Sequence, residues 1–178
     1  MEAAIDLHRT IGPAATTVSE IAERAGVGRV AVYRHFPDEL ALARACSGLY
    51  FERHPLADPS PWRRITDPRE RLRTALRETY AYHRANEPMI THVLADARDY
   101  PVMAPYHEQR RRAAEALLPG WRLRGHDRVG MRAALSLALS FDTWRVLARD
   151  HGLTDEEAAG LVVRLTRDCG HAGGGPAS

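Results

Sequence analysis

Between Thr17 and Phe36 the chain spells two short helices separated by a glycine-containing turn, and no other segment constrains the fold as much. Thr17-Val18-Ser19-Glu20 reads as a capping box, in which a hydroxyl and a carboxylate satisfy two of the orphan N–H groups at a helix start. Val18, Ile21, Ala22 and Ala25 follow as an apolar stripe at helical spacing, and Gly26-Val27-Gly28 ends it. A second short helix runs through Val32 to Phe36. Ala22 permits close approach of two helices, Gly26 can take left-handed backbone, and Val32 packs between them. These are the ingredients of a helix-turn-helix.

The rest of the chain is helical in pattern as well. Before the motif, Ala4, Leu7 and Ile11 mark a helix over about residues 2–11 that stops at Gly12-Pro13. After it, Pro37 suits the first turn of a fourth helix running to about Arg53. Three prolines between Pro55 and Pro61 mark a stiff linker. Asp67-Pro68-Arg69-Glu70 opens a long helix, Glu87-Pro88 another, and a third covers about Val102–Leu118. Asp127–Asp150 reads as the longest helix of all, and Thr154-Asp155-Glu156-Glu157 caps a last one reaching about Cys169. No strand pattern competes. The expected fold class is all-α with about nine helices, followed by a disordered Gly-rich tail at 170–178.

Charge and composition exclude several classes. No stretch approaches the roughly 20 apolar residues of a membrane-spanning helix, and Glu2 and Asp6 stand where an export signal would be basic. A soluble, cytoplasmic protein without membrane association is expected. All 25 basic residues are Arg, and the net charge is only +2. Residues 1–53 hold six Arg against seven acids, so DNA binding must rest on a local patch. Cys46 and Cys169 have neither metal-ligand nor disulfide spacing and read as small buried hydrophobes. The nine His include no metal-binding pair, and no nucleophile motif, phosphate loop or cofactor fingerprint is present. No enzyme, metal or cofactor is expected.

The local patch exists. Arg24 to Pro37 carries three Arg and His35 without one acid. A helical wheel turns Val32 and Phe36 inward and Arg29, Val30, Tyr33 and Arg34 outward. In a major groove Arg pairs guanine edges, Val meets a thymine methyl and a Tyr hydroxyl holds phosphate.

Thr16-Thr17-Val18-Ser19-Glu20-Ile21-Ala22-Glu23-Arg24-Ala25-Gly26-Val27, followed by Val32-Tyr33-Arg34-His35-Phe36-Pro37, resembles the tetracycline-repressor (TetR/AcrR) family of transcription regulators. The close resemblance covers about Ala3–Leu42. It implies a homodimer that binds a palindromic double-stranded operator through its third helix and leaves DNA when a small-molecule effector binds. It implies that Arg29, Val30, Tyr33 and Arg34 face DNA, that Tyr33 and His35 touch phosphate, and that Thr17 touches the backbone while capping its helix. It further implies a DNA-binding domain over residues 1–53, including the connecting fourth helix, and a ligand-binding and dimerisation domain over 54–169. Three features depart from the family pattern: Gly28 replaces a Ser, Asp38-Glu39 replace a Lys, and no basic stretch precedes the first helix in this sequence, so that either the arm is absent or the true start lies upstream. Each departure removes or repels a phosphate contact, so the alternative is a small-molecule-binding helical protein with weak or no affinity for DNA.

In the second domain the Asp127–Asp150 segment is apolar on more than one face, which calls for partners on both sides. Met131, Leu135 and Leu139 with Leu161 and Leu165 of the last helix are the candidate dimer interface. Candidates for an effector pocket are Tyr80, His83, Met89, His92, Met103, His107, Arg110, Phe141, Asp142 and Trp144, apolar bulk with a few polar groups on inward stripes. Asp142 stands out, because an unpaired charge in an apolar helix is expensive.

Overall fold

The computed structural model of the chain describes residues 1–97, 101–121 and 123–166. Among these residues there are ten α-helices and no strand. They are α1 (Glu2–Thr10), α2 (Val18–Arg24), α3 (Arg29–His35), α4 (Glu39–Arg53), α5 (Pro68–Ala85), α6 (Glu87–Ala97), α7 (Ala104–Leu117), α8 (Gly125–Ala138), α9 (Phe141–Arg145) and α10 (Asp155–Leu165). Single 3₁₀ turns lie at Pro61–Arg64 and Pro101–Met103, and a π-helical turn at Val146–Asp150 continues α9. The all-α expectation holds. Cys169 and the 170–178 tail lie outside the described residues.

The helices form two compact units. The first joins Met1–Leu56 to Asn86–Tyr106; the second joins Ala57–Ala85 to the chain from His107 onward. In the first unit Leu7, Ile21, Ala22, Val32, Leu42 and Cys46 close a core between α1 and α4, with Phe36 packed against it. α6 packs along α1 within the same unit. Pro37 falls outside α4, contrary to expectation: Asp38 is the N-cap instead, its carboxylate accepting the Ala41 N–H at 2.7 Å. An Asp side chain fills that role better than a ring without polar atoms.

The second unit is built on α5, which packs against α10 and α9 around fully buried Trp62, Leu72, Leu76, Tyr80 and Trp144. Arg71 is buried as well. Its Nε and Nη2 donate to the Ile65 carbonyl at 2.9 and 2.6 Å and its Nη1 to the Pro119 carbonyl at 2.5 Å. One planar guanidinium thus holds together the approach to α5 and the end of α7.

The expected 24-position helix over Asp127–Asp150 is not continuous. α8 ends at Ala138, and Ser140 caps a new helix by accepting the Thr143 N–H at 3.1 Å. The freed α8 carbonyls find side-chain donors: the buried Tyr80 Oη reaches Ala138 at 2.9 Å and the half-buried Thr143 Oγ1 reaches Leu137 at 2.7 Å. Apolar spacing runs through the break unbroken, so periodicity alone could not reveal it.

Candidate nucleic-acid interface

The start of α2 is built as its residues dictate. Thr17 accepts the Glu20 N–H at 3.2 Å while the Glu20 carboxylate accepts the Thr17 N–H at 2.8 Å, completing the capping box. The Thr17 N–H and the Thr17 hydroxyl, each donating to the Glu20 carboxylate at 2.8 Å, hold that carboxyl below its ordinary range. Gly26, at φ +67°, makes the left-handed turn into α3. Val32 faces the core, and Arg29, Val30, Tyr33, Arg34 and His35 are all exposed. Val30 is 84% exposed, an extreme for a β-branched apolar side chain with nothing to cover it in the chain itself.

The arginines of this unit fall into two classes. Arg9 and Arg24 both pair with Asp6, and Arg53 pairs with Glu2 at 2.5 Å. Arg29 and Arg34 have no acid partner among the described residues. Two of the seven acids in residues 1–53, Glu2 and Asp6, therefore neutralise arginines away from α3. The outer face of α3 keeps its full positive charge. Asp38, one of the acids departing from the family pattern, spends its carboxylate on the α4 cap.

Residues 1–46 match the family model for bacterial regulatory proteins, tetR family. The N-terminal module is of the tetR family. Among solved structures, a Clostridium perfringens protein that carries the name of a fatty acid metabolism regulator is similar over 94% of this chain and 96% of its own, with a TM-score of 0.65 at 19% identity. That likeness speaks for the fold. A search of curated proteins returns no match. The resemblance read from Thr16–Pro37 is thereby supported within residues 1–46, as a helix-turn-helix module of the kind found in bacterial regulatory proteins.

Outside the tetR-type module, four of the pocket candidates come together in the second unit. Phe141 and Trp144 stand 5.4 Å apart between ring centroids, His83 lies 5.6 Å from Phe141 and 6.0 Å from Trp144, and Tyr80 lies 6.4 Å from His83. Trp144 donates Nε1–H to Asp155 at 3.0 Å and carries Arg84 and Arg149 at 5.6 and 5.2 Å from its ring centroid. Burial holds His83 neutral, pushing it down to about 4. His107 and Arg110 on α7 are half-buried, whereas Met89, His92 and Met103 belong to the first unit.

Two expectations change. Asp142 does not point inward: the break at Ser140 resets the register, and Asp142 is exposed in the first turn of α9, where the helix dipole favours an acid. Met131, Leu135 and Leu139 are buried in the chain's own core, so they are not available to a second subunit. The exposed apolar side chains of α8 and α10 are Val129, Leu137 and Leu165, with Leu161 half-buried beside them. Among the described residues no helix is long and apolar enough to cross a membrane, and no group of three or more His, Cys, Asp or Glu could hold a metal ion.

Proposed function

We propose that the chain is a ligand-responsive, non-enzymatic transcriptional regulator of the cytoplasm. As a homodimer it binds a palindromic operator through α3 and, as a repressor, leaves it when a small-molecule effector binds. The observation that carries this reading is the division of the arginines. Arg29 and Arg34 have no acid partner among the described residues and stand on the exposed face of α3 with Val30 and Tyr33, while Asp6 and Glu2 are engaged by Arg9, Arg24 and Arg53. Arg for guanine edges, Val for a thymine methyl, and Tyr33, His35 and Thr17 for phosphate make a complete readout set. Dimerisation is assigned to Val129, Leu137 and Leu165, because apolar side chains this exposed call for a cover. The effector is assigned to the Tyr80, His83, Phe141 and Trp144 cluster, where apolar surface surrounds one buried polar group.

The second reading, a ligand-binding protein with little DNA affinity, draws on Gly28, which offers no side-chain cap or hydroxyl at the start of α3. Selection of fragmented genomic DNA from the source on the purified protein, at low and high salt, separates the two. Enrichment of a palindrome that fades steeply with salt supports the regulator. A folded dimer that enriches nothing supports the alternative.

A further inference from the structure

Asp96 stands at the wrong end of its helix. It lies in the last turn of α6, where the carbonyl ends make a negative pole, and no basic residue shares that turn. Its Oδ2 accepts the backbone N–H of Ala14, 82 positions away in the sequence, at 3.1 Å. Ala14 is in the turn between α1 and α2 and is exposed, so water would satisfy its N–H without help. The bond therefore supplies orientation more than stability.

The opposite wall of the contact is Gly12. It is buried at φ +89°, and a Cβ there would overlap the Asp96 carboxylate and press on His92. Only glycine lets the carboxylate come this close. From that point the turn is tied step by step to α2. Thr16 Oγ1 donates to the Gly12 carbonyl at 2.7 Å, Thr16 N–H to the Pro13 carbonyl at 3.2 Å, and the next residue is Thr17, the N-cap. A misplaced acid, a glycine without room for a Cβ and a loop N–H met from far along the chain converge on one contact.

We propose that Asp96 is a positioning residue for DNA binding. Its carboxylate fixes the Gly12–Thr17 turn and so sets where Thr17 and the start of α2 stand relative to α3. The proposal rests on the DNA-binding reading above. The test uses the full chain as wild type, Asp96→Ala, Asp96→Asn and Gly12→Ala, with the duplex that wild type enriches from a random library as probe. In Asp96→Ala the Ala14 amide loses its protection from hydrogen exchange and affinity falls about tenfold. Asp96→Asn keeps an acceptor oxygen and stays within about twofold of wild type. Gly12→Ala falls as Asp96→Ala does. If Asp96→Ala does not fold, Gly12→Ala, which retains the acid but displaces its carboxylate from the turn, decides. Unchanged affinity in a folded variant whose Ala14 amide exchanges freely overturns the proposal alone. A wild-type chain that enriches no duplex removes the DNA-binding reading, and this role with it.

Discussion

The Nε2 of His83 stands 3.2 Å from the carbonyl oxygen of Leu139, the residue at which α8 gives way to the cap of α9. A carbonyl only accepts, so Nε2 carries the proton and Nδ1 is left as a bare acceptor, buried and without a partner among the described residues. With Tyr80 on Ala138 and Thr143 on Leu137, side chains meet three successive carbonyls where α8 stops. A neutral imidazole in an apolar cluster is thus part of how the fold ends a helix.

That imidazole makes stability depend on pH in a defined window. Its pKa is lowered from 6.5 to about 4 by folding, so between those values the unfolded chain binds the extra proton. Stability contributed by the neutral form is full above the unfolded pKa and falls as the pH drops toward the folded one. Taking wild type from pH 7 to pH 5 should lower its unfolding free energy by about 2 kcal/mol through this group. Urea titrations of wild type and His83→Gln at both pH values check it. An equal pH dependence in the variant would move the effect elsewhere.

Much of the architecture is legible in the sequence because its signals are local. The boxes at Thr17 and Thr154 and the Asp67-Pro68 start form where their residues stand, since cap and capped group lie two or three positions apart. The break at Ser140 was hidden for the opposite reason: its donors, Tyr80 and His83, come from α5, some 56–58 positions earlier. Ser140-Phe141-Asp142-Thr143 does hold a cap and a first-turn acid, yet the apolar stripe overrides that signal in a reading by period. Asp96 was silent too, because its partner is a backbone N–H in another loop. An acid in a helix's last turn and a glycine before Pro13 were the only hints.

Arg71 is expected to be the most demanding buried polar residue. Arg71→Ala leaves the Ile65 and Pro119 carbonyls without their donor and should destabilise the chain by about 2–4 kcal/mol. Arg71→Lys should recover less than half, because one ammonium cannot reproduce the fork. Equilibrium unfolding in urea measures both.

On the selected duplex, Arg29→Ala should weaken binding by about 1–3 kcal/mol and flatten the preference at one base pair. Arg24→Ala should change affinity by no more than about twofold, since Arg24 is already paired with Asp6. Titrations across a salt series distinguish them further, as the log–log slope is shallower for any variant that loses a phosphate contact. Equal losses from both substitutions would contradict the division of the arginines.

Leu137→Arg should yield a folded monomer by sedimentation, because Leu137 is 66% exposed in the single chain. Met131→Ala should act on folding instead, destabilising it by about 2–5 kcal/mol while leaving the association state of folded molecules unchanged. A monomeric wild type would refute the interface outright.

The first compact unit is discontinuous: Asn86–Tyr106 belongs with Met1–Leu56 although α5 comes between them in sequence. Consider a chimera cut after the fourth helix, with the N-terminal helices spliced onto another ligand-binding domain. Here such a cut would take Ala14 without Asp96 and α1 without α6, so the reading head is not a detachable cassette. A hybrid that keeps this chain's operator preference would have to carry both stretches. The sensor grafted onto it would then have to tolerate a foreign helix threaded through its own sequence.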